Sequence, residues 1–197
     1  MGAYLCRRII IKNNNSIGAH PSYPDKENFG RIEMEIDSNE LLDIVRDQIQ
    51  VLVDIAENNG AHVTHVKPHG ALYNKAAIND EIAQSIGEAI IQVDPAVKEM
   101  GLAGSTMITC FDELGLETIG EAFADRSYEN DGKLRNRKYD DSLITDPIKA
   151  SNQSKNISPK WIDQVETGQQ PNGNELMNHL YDIHDKNAGF TETIAWN

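Results

Sequence analysis

Positive charge is what this chain has least of. Its 197 residues carry 18 Lys and Arg against 31 Asp and Glu, a formal net charge of −13. Such a balance repels phosphate backbones and anionic lipid, which argues against nucleic-acid and membrane-surface partners. Cysteine is nearly missing. Cys6 and Cys110 form neither a ligand-spaced pair nor a disulfide framework, as expected for a reducing compartment. No apolar run has the roughly 20 residues a membrane-spanning helix needs. The N-terminus shows no leader pattern, since Arg7 and Arg8 follow only a few apolar residues, and a cytoplasmic location is the expectation. Internal repeats and heptads are absent too. What remains, 39% hydrophobic and 25% charged, suits a soluble globular domain with a real core.

The pattern along the chain alternates. Residues 2–13 fit a helix with Leu5, Ile9 and Ile10 on one face, although so short a run does not separate helix from strand. Ser16 to His20 reads as a short buried strand, and two prolines hold the following loop, Pro21–Asp25, out of helix. Residues 38–58 form the clearest helix. Leu41, Val45, Ile49, Leu52 and Ile55/Ala56 recur at helical spacing, Asp37 with Glu40 makes a capping box, and Asn59-Gly60 stops it. A strand over Ala61–Val66 runs into His65-Val-Lys-Pro-His-Gly-Ala-Leu-Tyr73. A helix from about Asn79 to Gln92 follows. Val97–Ala103 is the next strand, ending in Gly101-Leu-Ala-Gly-Ser105, then come a helix to Leu114 and a strand over Leu116–Phe123. Strand, loop and helix repeated in this way predict parallel strands with crossover helices, a barrel or a doubly wound sheet. The four loops after residues 19, 66, 103 and 123 then share the carboxyl end of the strands, where such folds collect their chemistry. Beyond the hairpin-like turn Asn130-Asp131-Gly132 the pattern weakens. Ser151–Ser158 reads as loop, Trp161–Val165 as a short amphipathic piece, and Gly168–Asn174 as exposed or irregular chain.

Several side chains at these loops have two readings. His20 ends a buried strand, so it either hydrogen-bonds the loop backbone or serves a site. His65 reads as structural. Lys67 and His69 share one side of an extended segment stiffened by Pro68, and the pair suits polarising a carbonyl or holding an anion while the histidine moves protons. Asp125-Arg126 is either an ordinary ion pair or, with Asp125 at a strand end, a group that orients water or accepts a proton. Gly104 and Ser105 stand at a helix start, where free N–H groups bind anions, but a tight turn explains them equally well. Histidines 20, 65 and 69 with Asp125 offer mixed N/O metal ligands without matching a fixed metal motif.

Taken together the loops resemble one family. Gly18-Ala-His-Pro-Ser-Tyr-Pro-Asp25 with Phe29-Gly-Arg31, Val66-Lys-Pro-His-Gly-Ala-Leu-Tyr73, Gly101-Leu-Ala-Gly-Ser105, and Phe123-Ala-Asp-Arg-Ser-Tyr128 with Asp131-Gly-Lys-Leu134 and Arg137 look like the LamB/YcsF family. Its characterised activity is the A subunit of bacterial 5-oxoprolinase. The similarity runs from about Ser16 to Pro147, so residues 1–147 are taken as family core and 148–197 as a divergent segment of the same domain. The resemblance implies an α/β fold, a (β/α) barrel of the glycoside hydrolase/deacetylase type. It also implies ATP as co-substrate, B and C partner subunits, and opening of 5-oxo-L-proline to L-glutamate. On that picture Lys67, His69 and Asp125 are catalytic, and His20, Tyr23, Tyr73, Gly104, Ser105 and Arg126 bind substrate. His20 and His69 are the candidates if a metal is required.

The sequence also departs from the family. The Asp-x-Asn-x-Asp-x-Gly-Glu strand and the Ala-Cys-Gly-x-His-Ala-Gly-Asp strand are not found, and Asp182-Ile-His-Asp185 lacks the glycine of the closing His-Gly-Asp. An incomplete barrel without its first two strands is therefore expected. These departures favour a second reading, an inactive remnant that only binds subunits; the implied fold type and the histidines suggest a third, a metal-dependent amidase or deacetylase.

Overall fold

The computed structural model describes residues 16–156 and 192–194. The expectations for residues 2–13, Trp161–Val165, Gly168–Asn174 and Asp182–Asp185 lie outside them. The chain groups into two compact units. The first contains residues 1–101, 106–119 and 189–197; the second contains 102–105 and 120–188.

Strand β1 (Ile17–Ala19) leads through a proline loop to helix α1 (Ser38–Glu57). Strand β2 (Val63–Val66), the short helix α2 (Gly70–Ala76) and helix α3 (Asp80–Val93) follow. After them come β3 (Lys98–Leu102), α4 (Thr106–Glu113) and β4 (Thr118–Glu121). A 3₁₀ turn (Asp140–Ser142), helix α5 (Pro147–Asn156) and strand β5 (Glu192–Ile194) complete the described elements. The sheet runs β4-β3-β2-β1-β5, and β1 pairs in parallel with both β2 and β5, as β2 does with β3. The parallel α/β pattern expected from the sequence is therefore present.

Helix α1 forms where the apolar spacing puts it. Leu41, Val45, Ile49, Leu52 and Ala56 are its buried residues. The Asp37 carboxylate accepts from the backbone N–H of Asn39 at 2.9 Å, satisfying one of the donors a helix start leaves open. At the other end Gly60 takes φ +72, and the Ala61 N–H returns to the Ala56 carbonyl at 3.0 Å. This left-handed stop is the usual service of a glycine after a helix. The buried stripe of α1 packs on α3, whose Ala83, Ile86, Ala89 and Ile90 are buried, and α3 also packs on α4, where Phe111 lies against Gly87. Truncating such a side chain to alanine typically costs about 2–5 kcal/mol. Among the described residues no helix is long and apolar enough to cross a membrane.

Two elements differ from the sequence expectation. Helix α2 occupies what reads as loop after His69, because Leu72 and Ala76, one turn apart, are both fully buried and anchor one face. Helix α5 covers Ser151–Asn156, where a loop is expected. Its polar composition hides it, but Pro147 is its first residue, where no N–H is needed. Asp146 accepts from the N–H groups of Ile148 and Lys149 at 2.8 and 3.3 Å, capping that start.

The β1–β2 pairing carries one irregularity. Ile17 lies opposite Val63 but Gly18 lies opposite His65, so Thr64 is skipped. The Thr64 hydroxyl compensates by donating to the Ile17 carbonyl at 3.1 Å. That leaves the same oxygen to accept from His65 Nδ1 at 3.0 Å, which defines His65 as the Nδ1–H tautomer. Burial, and next the Lys67 charge, pushes the His65 pKa down, consistent with a neutral ring. Its Nε2 has no hydrogen-bond partner among the described residues and lies against Gly18, where an added Cβ would come within 2.1 Å. His65 is thus a packing residue, and Gly18 is glycine to make room for it. Gly18→Ala is expected to cost about 1–3 kcal/mol in urea unfolding through overpacking. Adding His65→Ala should recover part of that loss; strictly additive losses would show that the two residues are not coupled.

Candidate functional site

The parallel ladder does not stop where β1 and β2 end. The Lys67 N–H donates to the Ala19 carbonyl at 2.9 Å, and the His69 N–H donates to the Pro21 carbonyl at 2.8 Å. Residues 67–69 therefore run beside residues 19–21 as one more step of extended chain, which Pro68 keeps out of helical geometry. The consequence is that His20 is flanked by Lys67 and His69.

Both ends of the histidine pair are tied to backbone. His20 Nδ1 donates to the Lys67 carbonyl at 2.5 Å. His20 Nε2 faces His69 Nδ1 at 2.8 Å, with the rings edge to face and their centroids 4.6 Å apart. His69 Nε2 in turn donates to the Phe29 carbonyl at 2.8 Å. That carbonyl is aimed by an unusual backbone: Phe29 has φ +57 and Gly30 φ +64. A left-handed phenylalanine is uncommon and marks a conformation the surroundings impose. The next carbonyl, that of Gly30, accepts from the Ala71 N–H at 2.9 Å, and a Cβ on Gly70 would sit 2.5 Å from it. Gly70, at φ +59, is therefore required both for its own conformation and for this close approach.

Around the pair, Lys67 is half-buried and its Nζ lies 6.0 Å from the centroid of the Tyr73 ring. Tyr73 is buried in α2. Tyr23 is also buried, and its hydroxyl has no hydrogen-bond partner among the described residues. Burial, and then the Glu33 charge, raises its pKa, so it stays a neutral phenol. Ser22 is held through its N–H to Gln48 Oε1 at 3.1 Å and its carbonyl to Gln48 Nε2 at 2.9 Å. Gln48 on α1 is thus a clamp on the proline loop that the sequence reading missed.

The second unit contains the remaining candidates. Gly104 is exposed at φ +70, and the Ser105 N–H bonds the Leu102 carbonyl at 3.1 Å, forming the turn that precedes α4. Asp125 is exposed, whereas Arg126 is buried. The Arg126 guanidinium donates to the backbone carbonyls of Ser142 at 3.3 Å and Arg135 at 2.9 Å. Those bonds make it a brace of its own loop. Tyr128 closes the loop from the other side, its hydroxyl accepting from the Phe123 N–H at 2.6 Å; burial drives its pKa well up. Gln153 on α5 adds a third brace by donating to the carbonyls of Phe123, Ala124 and Arg126 at 2.9, 3.3 and 2.8 Å. Sequence reasoning missed Gln153 along with its helix.

Among the described residues no three His, Cys, Asp or Glu side chains gather as a metal site. The 2.8 Å between the two histidines is a hydrogen-bond distance. Two nitrogens on one tetrahedral zinc, each at about 2.0–2.1 Å, would stand roughly 3.3 Å apart.

Burial pushes the His20 pKa down to about 4; the charges of His69, Lys67 and His65 add to this, and the bond to the Lys67 carbonyl opposes it. The folded value lies below the unfolded one near 6.5, so the stabilisation is complete above pH 6.5 and is lost as pH falls towards 4. A thermal midpoint falling by roughly 5–10 °C across that window is expected, corresponding to about 2–3 kcal/mol. In His20→Gln the fall should be clearly shallower, and an unchanged profile would remove His20 as its source.

Comparison with known proteins bears on the fold and the family. The model of the LamB/YcsF family matches residues 5–172. Similar curated proteins include the 5-oxoprolinase A subunit of Haemophilus influenzae (strain PittEE), 47% identical over 133 residues, covering 68% of this chain and 54% of that protein. Those of Histophilus somni (strain 129Pt) and Chloroflexus aggregans are each 44% identical, over 142 and 152 residues, covering 72% and 77% of this chain and 58% and 59% of theirs. The chain thus spans somewhat more than half the length of these relatives. Among solved structures, the lactam utilization protein of Thermus thermophilus superposes with a TM-score of 0.71 at 27% identity, covering 98% of this chain and 82% of that one. With a family match over most of its length and a matching fold, this chain belongs to the LamB/YcsF family.

Proposed function

We propose that this chain acts in the ATP-dependent hydrolytic opening of 5-oxo-L-proline to L-glutamate, as an A-type subunit working with B and C partner subunits. The observation that carries the reading is the His20–Lys67–His69 cluster at the β1 and β2 ends, in a chain 44–47% identical to proteins named as the A subunit of 5-oxoprolinase. The same reading puts it in the cytoplasm, where ATP is available. We also infer a (β/α) barrel of the glycoside hydrolase/deacetylase type. In support, β1 to β4 step across the sheet in chain order, as singly wound barrel strands do, and β5 returns beside β1.

The chemistry sets the demands. A five-membered lactam is a resonance-stabilised amide and a poor electrophile. Phosphorylation of its oxygen by ATP would supply a leaving group and an electrophilic carbon for water. Opening then needs a positive charge beside the phosphate or carboxylate and a proton for the departing nitrogen. Lys67 is the residue of this proposal for the first task. His69 is the residue for the second, and Asp125 is a further proton-transfer candidate.

The assay is glutamate release from 5-oxoproline and ATP in the presence of the B and C subunits. Lys67→Ala and His69→Ala are each expected to lower kcat about 10²–10³-fold, the usual loss for one electrostatic or proton-transfer group. Asp125→Asn should lower it as well, and Arg126→Gln should chiefly reduce thermal stability. Full activity in Lys67→Ala or His69→Ala would remove that residue from the mechanism, and no turnover by the unsubstituted complex would sink the assignment.

A further inference from the structure

Cations are scarce in this chain, yet Lys133, Arg135, Arg137 and Lys138 fall close together in the second unit. Two of them are neutralised locally. Lys133 pairs with Asp131 at 2.7 Å, and Arg135 pairs with Glu129 at 2.8 Å and with Asp141 at 2.6 Å. Among the described residues no carboxylate pairs with Arg137 or Lys138, the following Asp140 included. Both cations stand at the centre of a β-turn that runs from Asn136 to Tyr139. The Tyr139 N–H donates to the Asn136 carbonyl at 3.1 Å, and the Asn136 side-chain oxygen accepts from the Lys138 N–H at 2.9 Å. All four turn residues are exposed. The turn is rooted in a short antiparallel segment, in which Tyr128 bridges Leu134 and the Arg135 N–H donates to the Ser127 carbonyl at 2.9 Å. The Tyr139 ring is 44% exposed, although the Arg135 guanidinium lies 4.6 Å and the Lys138 ammonium 5.0 Å from its centroid.

We propose that the Asn136–Tyr139 turn is a docking surface for an acidic patch on a partner subunit, with Tyr139 as its anchor and Arg137 and Lys138 as its charges. The inference rests on the proposed A-type subunit role and adds the place where a partner is held. Charge selects the partner. In a chain of net charge −13, a subunit that presents carboxylates is attracted to this turn and repelled by most of the remaining surface. The turn hydrogen bonds already fix the backbone of both cations, so little backbone entropy is lost when that patch arrives. Composition and shape select a protein over a small anion. Tyrosine and arginine are among the residues that dominate binding energy at protein interfaces. A turn whose residues are all exposed is a protrusion, whereas a nucleotide needs a concave site. Tyr139, braced by two cations, is a preorganised contact, and Arg137 and Lys138 set the orientation of the partner.

The test is the affinity of the full-length chain for the B and C subunits of 5-oxoprolinase, measured by analytical ultracentrifugation at low and high salt. Arg137→Glu and Lys138→Glu are each expected to weaken association about 10–100-fold, and Tyr139→Ala about tenfold. The affinity of the unsubstituted chain should fall as salt rises. Lys26→Glu makes the same change of charge at an exposed lysine of the first unit and should leave the affinity within about twofold. Arg137 has no ion pair to lose, so the thermal midpoint of Arg137→Glu should match that of the unsubstituted chain. Unchanged affinity in Arg137→Glu and Lys138→Glu overturns the surface and leaves the proposed function standing. Equal weakening by Lys26→Glu does the same, because net charge alone would then explain the loss. Loss of ATP binding in Arg137→Glu with subunit association intact would assign the turn to a nucleotide instead, and loss of self-association alone would assign it to a second copy of the chain. An unsubstituted chain that binds neither subunit at any salt removes the A-type role together with this surface.

Discussion

The feature on which the rest of the site depends is a pair of backbone hydrogen bonds beyond the ends of two strands. The Lys67 N–H to the Ala19 carbonyl and the His69 N–H to the Pro21 carbonyl prolong the β1–β2 ladder by one step. Without that step, residues 47 and 49 positions apart in the chain would have no fixed relation. With it, His20 is lodged between Lys67 and His69, and the side chains inherit the regular spacing of parallel backbone.

Three constraints keep this extension in place. Pro68 removes a donor and biases Lys67 to extended geometry. Gln48 holds Ser22 through both its N–H and its carbonyl, and so holds the proline loop. The left-handed pair Phe29-Gly30 presents one carbonyl to the His69 ring and the next to the start of α2. Strain at Phe29 is therefore offset by two hydrogen bonds to successive carbonyls, an arrangement expected where a loop must define the position of a reactive side chain. In the second unit, Arg126, Tyr128 and Gln153 do the same for the Phe123–Arg126 loop, using donors and acceptors that bind backbone.

The two neighbouring histidines of β2 and its loop illustrate how far environment separates identical side chains. His65 lies inside the sheet against Gly18, its one proton committed to Thr64, and works as packing. His69, four residues on, is half-exposed and bonded at both nitrogens. Burial makes neutrality the natural state of the first, while the second is held between a backbone carbonyl and another ring.

Much of this was legible in the order of residues. The 3.6-residue spacing of Leu41, Val45, Ile49 and Leu52 determined α1, because one apolar face must be buried. Short apolar runs separated by glycine and proline determined the parallel strands, and the motifs around His20, Lys67 and His69 pointed to the family and to the strand ends. Helices α2 and α5 were hidden, the first behind a glycine that reads as a turn and the second behind polar residues whose only signal was Asp146-Pro147. Sequence spacing suggested that Lys67 and His69 act together and put His20 at the same strand end, but it gave no means of finding the bonds that join them, and none of finding Gln48 or Gln153. Those depend on contacts between distant segments. Local propensity acts over a few residues, whereas the partners of a histidine depend on which carbonyl or nitrogen faces it across the ladder, and only the tertiary structure decided that.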